Sequence, residues 1–167
     1  MSGFRLLLVS NREPYSHVST PKGVKVVEAI GGVVTALDPV MKAARGTWIA
    51  QATGDADRDA VDSGGRVQVP PGSERYTLRR VFLSPEEEDG YYYGFANEGL
   101  WPLCHIAFQP PTFKEQDWDA YRRVNARFAR AVVEEAAGSR PLVFIQDYHF
   151  ALLPRLVKEI LPDAVVC

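Results

Sequence analysis

The sequence predicts an α/β fold built on a parallel sheet. Two short apolar runs, at residues 6–9 and 142–145, have the composition of strands buried on both faces of a sheet. Between and after them, apolar residues recur every three or four positions, the spacing of amphipathic helices. Strands and helices therefore alternate along the chain. This order is typical of a parallel sheet whose strands are joined by right-handed crossovers.

The first predicted strand covers residues 4–9, an apolar run interrupted only by Arg5. Residues 10–29 are polar and contain Pro and Gly, so we expect a long connecting loop, and loops of that length in a compact domain tend to be functional. A helical stripe follows Gly31 and Gly32 over residues 33–44, although Pro39 should bend or delay that helix.

The middle of the chain continues the alternation with shorter elements. Residues 48–50 and 76–83 have the composition of strands, and the Gly- and Asp-rich residues 54–75 between them predict a loop or small flap. A helix start is indicated by Ser84, which suits an N-cap, followed by Pro85 in the first turn.

The last third contains the clearest periodic segment. Residues 118–132 carry aromatic and aliphatic side chains at spacings of three and four, which predicts an amphipathic helix. A buried strand at 142–145 is followed by a helix over 152–160 that ends near Pro162. Residues 164–167 begin one more strand, which would form a weakly supported sheet edge.

Composition excludes several classes of partner. The 167 residues suit one domain, with 46% hydrophobic and 24% charged residues, as in ordinary globular proteins. A net charge of -2 and scattered Lys and Arg give no reason to expect nucleic acid or an anionic membrane as partner. Cys104 and Cys167 have no zinc-site spacing. No signal peptide or membrane-spanning run is evident, so we expect a cytoplasmic protein.

Residues 91–105 form the most informative segment, with three tyrosines, a Trp-Pro pair and a His. Neither a helical nor a strand period fits it, and Gly94 and Gly99 are expected to bend its backbone. Aromatic rings with polar tips combine buried area with hydrogen bonding, as the wall of a sugar site requires. An aromatic loop packed on a core is the alternative interpretation.

Three positions at the carboxyl ends of predicted strands, or at a helix start, suit phosphate and sugar chemistry. Arg12 follows the first strand, where open α/β sheets bind ligands, and a guanidinium there can hold a phosphate; a surface arginine is the alternative. The Gly31-Gly32 pair lets a phosphate approach a helix N-terminus, although a tight turn needs the same residues. Asp147 can accept bonds from sugar hydroxyls or cap the next helix.

Other chemistry is disfavoured. The fingerprint G-x-G-x-x-G is absent, which argues against a dinucleotide cofactor. Asp55, Asp57 and Asp59 imitate a calcium loop, but Ala60 and Arg66 stand where that loop needs Gly and Glu, so a solvated acidic loop is expected. We therefore expect neither a metal nor a cofactor.

Taken in order, several segments resemble the N-terminal half of the retaining trehalose-6-phosphate synthases, glycosyltransferases of family 20. No single segment is specific, but five in this order cover almost the whole chain. The matching segments are Ser10-Asn11-Arg12, Gly31-Gly32, the block 91–105, Trp118 with Tyr121, Val124 and Asn125, and Asp147-Tyr148-His149.

The resemblance implies a Rossmann-like domain, the N-terminal half of a GT-B glycosyltransferase, over residues 1–167. The intact enzyme would move glucose from a nucleotide sugar (UDP-, GDP- or ADP-glucose) to glucose-6-phosphate, giving trehalose-6-phosphate. Gly31 and Gly32 would face the donor diphosphate, and no metal would be needed. The expected acceptor-binding residues are Arg12, Tyr92, Trp101, Asp147 and Tyr148.

Two departures from the family pattern bear on the identity of the acceptor. Ala50-Gln51 stands where the family commonly shows Gly-Trp, and Gln146 stands where a His is usual. A related transferase using another phosphorylated acceptor, such as the glucosylglycerol-phosphate synthases, is one alternative. A non-catalytic domain that binds sugar phosphates is another.

The resemblance also sets an expectation about completeness. The family's next motif would begin beyond Cys167, and its donor-binding domain would follow. We therefore expect the chain to be an inactive fragment by itself. Self-association through the sheet edge at 164–167, in a structural role, is a further expectation.

Overall fold

The structure, a computed structural model, describes residues 5–167. Its main sheet has six strands in the order β5-β6-β4-β1-β7-β8. All pairs are parallel except β5 with β6, which is antiparallel. The strands are β1 (Arg5–Arg12), β4 (Thr47–Gln51), β5 (Arg66–Val69), β6 (Tyr76–Val81), β7 (Pro141–Ile145) and β8 (Val165–Val166), and a separate hairpin is formed by β2 (Tyr15–Thr20) and β3 (Gly23–Glu28).

Five α-helices join these strands. They are α1 (Gly32–Ala44), α2 (Pro85–Glu88), α3 (Trp101–Cys104), α4 (Glu115–Ala136) and α5 (Leu153–Ile160). Ser84 caps α2 as expected, with a reciprocal bond to Glu87. Pro39 lies inside α1, which nevertheless begins at Gly32, so Pro39 does not delay the helix. No helix within residues 5–167 is long and apolar enough to cross a membrane.

Two hydrophobic layers cover the two faces of the sheet. Leu7 and Val9 of β1 pack with α4 and α5 on one face. Leu8, between them in the sequence, points to the other face and packs with α1 and the hairpin. Because successive strand residues alternate faces, an unbroken apolar run is what a strand covered on both sides requires. The predicted strands and helices of the sheet are therefore confirmed; Phe4, the first residue of the predicted β1, lies outside the described residues.

The expectation of a long loop at residues 10–29 was wrong. The chain forms the hairpin β2–β3 there, in which Tyr15 pairs with Glu28 and Thr20 with Gly23. Most of β3 is exposed, so its side chains show none of the alternation that marks a half-buried strand. The segment is held instead by polar contacts such as the bond from the His17 amide to the Asp57 carboxylate, at 2.7 Å.

Part of the expected loop at 54–75 also differs. Residues 66–69 form β5, which pairs with β6 and closes one edge of the sheet. Turns occupy most of residues 54–65. The expectation of a solvated acidic loop was wrong for Asp57, whose side chain is fully buried. Its carboxylate binds the Arg80 guanidinium at 2.8 Å.

Residues 89–100 form a π-helix, which explains why neither regular period fits them. In a π-helix each N–H bonds to the carbonyl five residues earlier, as Trp101 does with Ala96. Gly94 and Gly99, which were expected to bend the backbone, serve close packing instead, and a Cβ on Gly99 would clash with the Phe113 ring. A Cβ on Gly90 would lie 2.6 Å from the Ala120 Cβ, and one on Gly94 would lie 2.5 Å from the Asp117 carboxyl carbon. The π-helix therefore lies directly against α4.

Candidate functional site

The carboxyl ends of β1 and β7 meet at one edge of the sheet, beside the start of α1, and enclose a cavity of about 170 Å³ that we call the first cavity. Ligands of open α/β sheets bind at this edge. Five predicted site residues line it together: Arg12, Gly31, Gly32, Tyr92 and Asp147. The remaining lining residues are Ser10, Asn11, Val33, Val34, Gln146 and His149.

Arg12 ends β1 with its guanidinium almost unengaged. The strand register shifts between Ser10 and Arg12, and the Ser10 hydroxyl donates to the Arg12 carbonyl at 2.8 Å while accepting from the Trp48 indole at 2.7 Å. The guanidinium makes one long bond, 3.4 Å, to the Ile30 carbonyl. Within residues 5–167 no carboxylate lies at ion-pair distance from it, so its charge is available to an anion.

The N-terminus of α1 adds a second source of positive potential. In the described part of the chain, no side chain caps this end of the helix. Its free N–H groups and the helix dipole favour a negative charge. A Cβ on Gly32 would meet nothing within 4 Å, so the missing side chain leaves open space beside these amides. A Cβ on Gly31 would lie 3.4 Å from an Arg12 guanidinium nitrogen, which places both glycine and arginine at the same end of the cavity.

Asp147 follows β7 in a strained backbone conformation. Its φ of 76° lies in the left-handed region, which non-glycine residues rarely adopt and which recurs at functional sites. One carboxylate oxygen accepts from the Tyr148 amide at 2.8 Å, so the predicted capping role is present. The side chain remains 42% exposed. Its second oxygen is therefore accessible to a ligand hydroxyl.

The π-helix supplies the aromatic wall. The buried Tyr91 donates to the Asn11 side chain at 2.9 Å and thereby connects the π-helix to the end of β1. Tyr92, the next residue, turns toward the first cavity and stacks on His149, with ring centroids 5.4 Å apart. Burial lowers the pKa of His149, so this imidazole is neutral near pH 7. His149 was not among the predicted acceptor-binding residues, but it lines the first cavity.

Trp101 and Tyr148 do not line the first cavity. A row of rings connects them to it: Trp101 stacks on His105 at 4.9 Å, His105 meets the edge of Tyr148 at 5.9 Å, and Tyr148 stacks on His149 at 4.3 Å. Trp101 is 41% exposed. The row of rings therefore extends the aromatic wall from Tyr92 to the exposed side chain of Trp101.

A second cavity, of about 480 Å³, lies on the other side of Arg12 and shares Asn11, Arg12 and Tyr92 with the first. The hairpin forms one of its walls, and Gln51 and Thr53 another. Gln51 is 2% exposed, and its Oε1 has no hydrogen-bond partner among residues 5–167. A buried carbonyl oxygen without a donor is costly, and a ligand hydroxyl would satisfy it. The sequence showed Gln51 only as a departure from the family pattern.

Beneath the second cavity lies a buried ionic cluster formed by Glu13, Asp57 and Arg80. Arg80 is completely buried and binds Glu13 and Asp57, each at 2.8 Å. Both carboxylates also accept from the Thr53 amide. Burial and the neighbouring Asp57 raise the pKa of Glu13 to about 7. This cluster fixes the base of the hairpin, and sequence analysis missed it because its members are far apart in the chain.

The fold and the site together define an α/β domain whose cavities open at the carboxyl ends of parallel strands. The family model "Glycosyltransferase family 20" matches residues 4–167. The chain therefore belongs to glycosyltransferase family 20.

Similar proteins carry a consistent name. A trehalose-6-phosphate synthase of Mycolicibacterium gilvum is 35% identical over 161 residues, which are 96% of this chain and 31% of that protein. A bifunctional trehalose-6-phosphate synthase/phosphatase of Thermoproteus tenax is 37% identical over 166 residues, 93% of this chain and 21% of that protein. The chain thus spans about a third or less of the length of these curated relatives.

Solved structures agree in fold. A trehalose-6-phosphate synthase structure has a TM-score of 0.71 and 25% identity, covering 97% of this chain and 32% of that one. An E. coli structure bound with UDP-2-fluoro glucose has a TM-score of 0.66 and 28% identity, covering 93% of this chain and 30% of that one. The predicted α/β, Rossmann-like fold of the GT-B type is therefore confirmed.

Proposed function

We propose that residues 1–167 act as the acceptor-binding domain of a glycosyltransferase that makes trehalose-6-phosphate. The whole protein would transfer glucose from a nucleotide sugar to glucose-6-phosphate, with no metal or cofactor. The names of the relatives support this activity, and one related structure is a complex with glucose-6-phosphate. The chain supplies the residues that would hold the acceptor and admit the donor phosphates.

The observation that carries the proposal is the meeting of two anion-binding features at one cavity. Arg12 offers an uncompensated guanidinium, and α1 offers an uncapped N-terminus at Gly31 and Gly32. The reaction brings two phosphorylated groups together, the acceptor phosphate and the donor diphosphate. We assign the acceptor phosphate to Arg12 and the donor diphosphate to the glycines.

The other predicted residues would hold the acceptor sugar. Tyr92 would pack against the ring, and Asp147 would accept a bond from a hydroxyl through its exposed oxygen. Trp101 and Tyr148, at the outer end of the ring row, would cover the sugar from the open side.

The reaction depends more on the positioning of the two substrates than on a general base supplied by the enzyme. The bond from glucose to the diphosphate breaks and the diphosphate leaves with the bonding electrons. The acceptor hydroxyl attacks from the same face, and its proton passes to an oxygen of the departing diphosphate. Two reactants held in register reach the effective concentration that such a transfer needs. Positive potential at the start of α1 would stabilise the departing diphosphate.

Calorimetric titration of the chain with glucose-6-phosphate tests this proposal. We expect saturable binding that weakens at least about tenfold in Arg12→Ala, because a hydrogen bond to a charged group contributes roughly 1.5–3 kcal/mol. Arg155→Ala is the matched control, since Arg155 is exposed and paired with Glu159 at the far side of α5. Equal binding by Arg12→Ala and the parent chain would contradict the proposal.

Gln51 favours a second candidate, a related transferase with a different phosphorylated acceptor such as glycerol phosphate. Its unpartnered Oε1 and the volume of the second cavity suit a hydroxyl-bearing acceptor near Arg12. Parallel titrations with glucose-6-phosphate and glycerol-3-phosphate separate the two candidates. Tighter binding of glycerol-3-phosphate, weakened in Gln51→Leu, would favour this alternative.

Self-association through the edge strand β8 is a separate proposal. β8 has only two residues, and Val165 is 40% exposed at the open edge. Unpaired edges can pair with another chain. Sedimentation velocity over a hundredfold concentration range tests it: a single monomeric species throughout would exclude association.

A further inference from the structure

A separate cavity of about 530 Å³ lies between the end of β6 and α4. Five arginines line it: Arg80 belongs to the buried ionic cluster, and the other four differ in their pairing. We call it the arginine cavity. It shares no lining residue with the first and second cavities. The residues that matter for its chemistry are Arg58, Arg79, Arg127, Arg130, Phe82 and Glu134.

Two of these arginines have no counter-charge. Arg58 and Arg130 are exposed, and within residues 5–167 no carboxylate lies at ion-pair distance from either. The Arg58 guanidinium lies 4.3 Å over the face of Phe82, a cation–π contact that orients the group and leaves its charge in place. The edges of that guanidinium remain able to donate.

The other two arginines are paired. Arg79 binds Glu134 at 3.0 Å, and the Glu134 side chain is 56% exposed, so this pair is weak. The buried Arg79 Nε lies 3.7 Å from the Glu135 carboxylate, and another guanidinium nitrogen donates to the Arg80 carbonyl at 2.6 Å. Arg127 binds Glu87 and the Phe82 carbonyl, which fixes its position on α4.

The carboxylates near the cavity do not balance this charge. Glu134 is the acid that lines it, and Glu87 reaches it through Arg127. Glu135 is already shared by Arg5, Arg66 and Arg79. Arg80 also contributes to the wall, but its guanidinium is neutralised by Glu13 and Asp57. The cavity therefore holds an excess of two positive charges, on Arg58 and Arg130.

Concentrated like charge raises the free energy of a fold unless an anion offsets it. Planar guanidiniums on a concave surface match the oxygens of phosphate groups, which accept paired hydrogen bonds. The volume lies within the range of small-molecule sites. The Phe82 face is already covered by Arg58, so the recognition is directed at phosphate oxygens rather than at a stacked base.

We propose that the arginine cavity is a second anion site, distinct from the substrate cavities, that binds a phosphorylated small molecule through Arg58 and Arg130. The fold does not use Arg58 or Arg130 to satisfy a carboxylate. Their shared direction toward one cavity is what a phosphate-binding role explains.

Pyrophosphate is the probe, and Arg12→Ala is the background, because that change removes the phosphate-binding arginine of the substrate cavities. We expect calorimetry to show saturable pyrophosphate binding by Arg12→Ala. Adding Arg58→Ala and Arg130→Ala should weaken it at least about tenfold. The matched control adds Arg122→Ala and Arg155→Ala, exposed arginines paired with Asp119 and Glu159, which lowers the net charge equally.

Each outcome decides the proposal. Binding retained by the control and lost by the Arg58/Arg130 variant, with circular dichroism unchanged, supports it. Absence of saturable binding in the Arg12→Ala background overturns it. Equal binding by both variants, weakened or not, also overturns it, because binding would then depend on the overall charge or on the start of α1 and not on Arg58 and Arg130. None of these results depends on whether glucose-6-phosphate binds at Arg12.

Discussion

Arg12 and Arg80 are both neighbours of Glu13: Arg12 precedes it in the sequence, and Arg80 binds its carboxylate. The surroundings of the two arginines are nevertheless opposite. Arg80 is completely buried and donates to Glu13, Asp57 and the Tyr15 carbonyl. Arg12 is exposed and makes one long bond to a carbonyl. The difference separates two uses of the same side chain. A guanidinium whose donors are all engaged maintains the fold, whereas one with unused donors at a cavity is available to a ligand.

The largest expected effect comes from the buried member of this comparison. We expect Arg80→Met to lower the free energy of unfolding by about 3–5 kcal/mol, because it leaves two carboxylates buried without their cation. Urea unfolding monitored by circular dichroism measures it. Arg155→Met, which breaks an exposed pair, should cost less than about 1 kcal/mol. Similar costs for both variants would show that burial does not separate the two kinds of arginine.

The next largest effect is a pH dependence of the free energy of unfolding, caused by Glu13. Its pKa is raised to about 7 in the folded chain, so between pH 4.5 and 7 the folded state holds a proton that the unfolded state has released. This contribution to stability is complete below pH 4.5 and is lost as the pH rises through 7. Relative to Glu13→Gln, we expect the parent chain to lose about 3 kcal/mol of unfolding free energy between pH 4.5 and 8.

Urea titrations of both chains at several pH values measure this difference. If the unfolding free energies of the two chains change in parallel with pH, Glu13 stays ionised throughout. The attraction of Arg80 would then outweigh the effect of burial on the Glu13 pKa. In that case the cluster would be an ordinary ion pair with an additional carboxylate.

A smaller effect concerns the contact between the π-helix and α4. Gly90→Ala would bring a methyl group to 2.6 Å from the Ala120 Cβ, which cannot move without shifting α4. We expect a loss of about 1–3 kcal/mol in unfolding free energy. Glucose-6-phosphate binding should also weaken, because Tyr92 lies on the same π-helix. An unchanged melting temperature would contradict the close approach.

The smallest effect on stability is expected at the first cavity. Gly32→Ala adds a methyl group where nothing lies within 4 Å, so the free energy of unfolding should change by less than about 0.5 kcal/mol. Binding of UDP-glucose should nevertheless weaken about tenfold, because the methyl group occupies space beside the α1 amides. Calorimetry measures this loss. Unaltered UDP-glucose binding would remove Gly32 from the donor site.

The sequence predicted best those parts of the fold that are apolar and periodic. The strands at β1 and β7 and the helix α4 bury continuous runs or regular stripes, so their pattern follows from their position. Four of the five predicted residues of the first cavity were predictable for a similar reason. Arg12, Gly31, Gly32 and Asp147 occupy strand ends and a helix start, and parallel strands bring these positions to one edge. Tyr92 lies within the π-helix, and only the family resemblance indicated it.

What the sequence did not predict depends on contacts between distant polar residues. Strand β3 of the hairpin is exposed at nearly every position and therefore lacks alternation. Arg80 and Glu13 are 67 residues apart, and no local pattern indicates their pairing. The π-helix is uncommon and follows neither regular period, so its glycines suggested a bend where they provide space for α4.

The most direct measurement is a crystal structure of this chain with glucose-6-phosphate. We expect the phosphate within hydrogen-bond distance of the Arg12 guanidinium, the sugar ring against Tyr92 and a hydroxyl on Asp147. A sugar phosphate bound at the arginine cavity alone, with Arg12 unengaged, would contradict the assignment of the acceptor site.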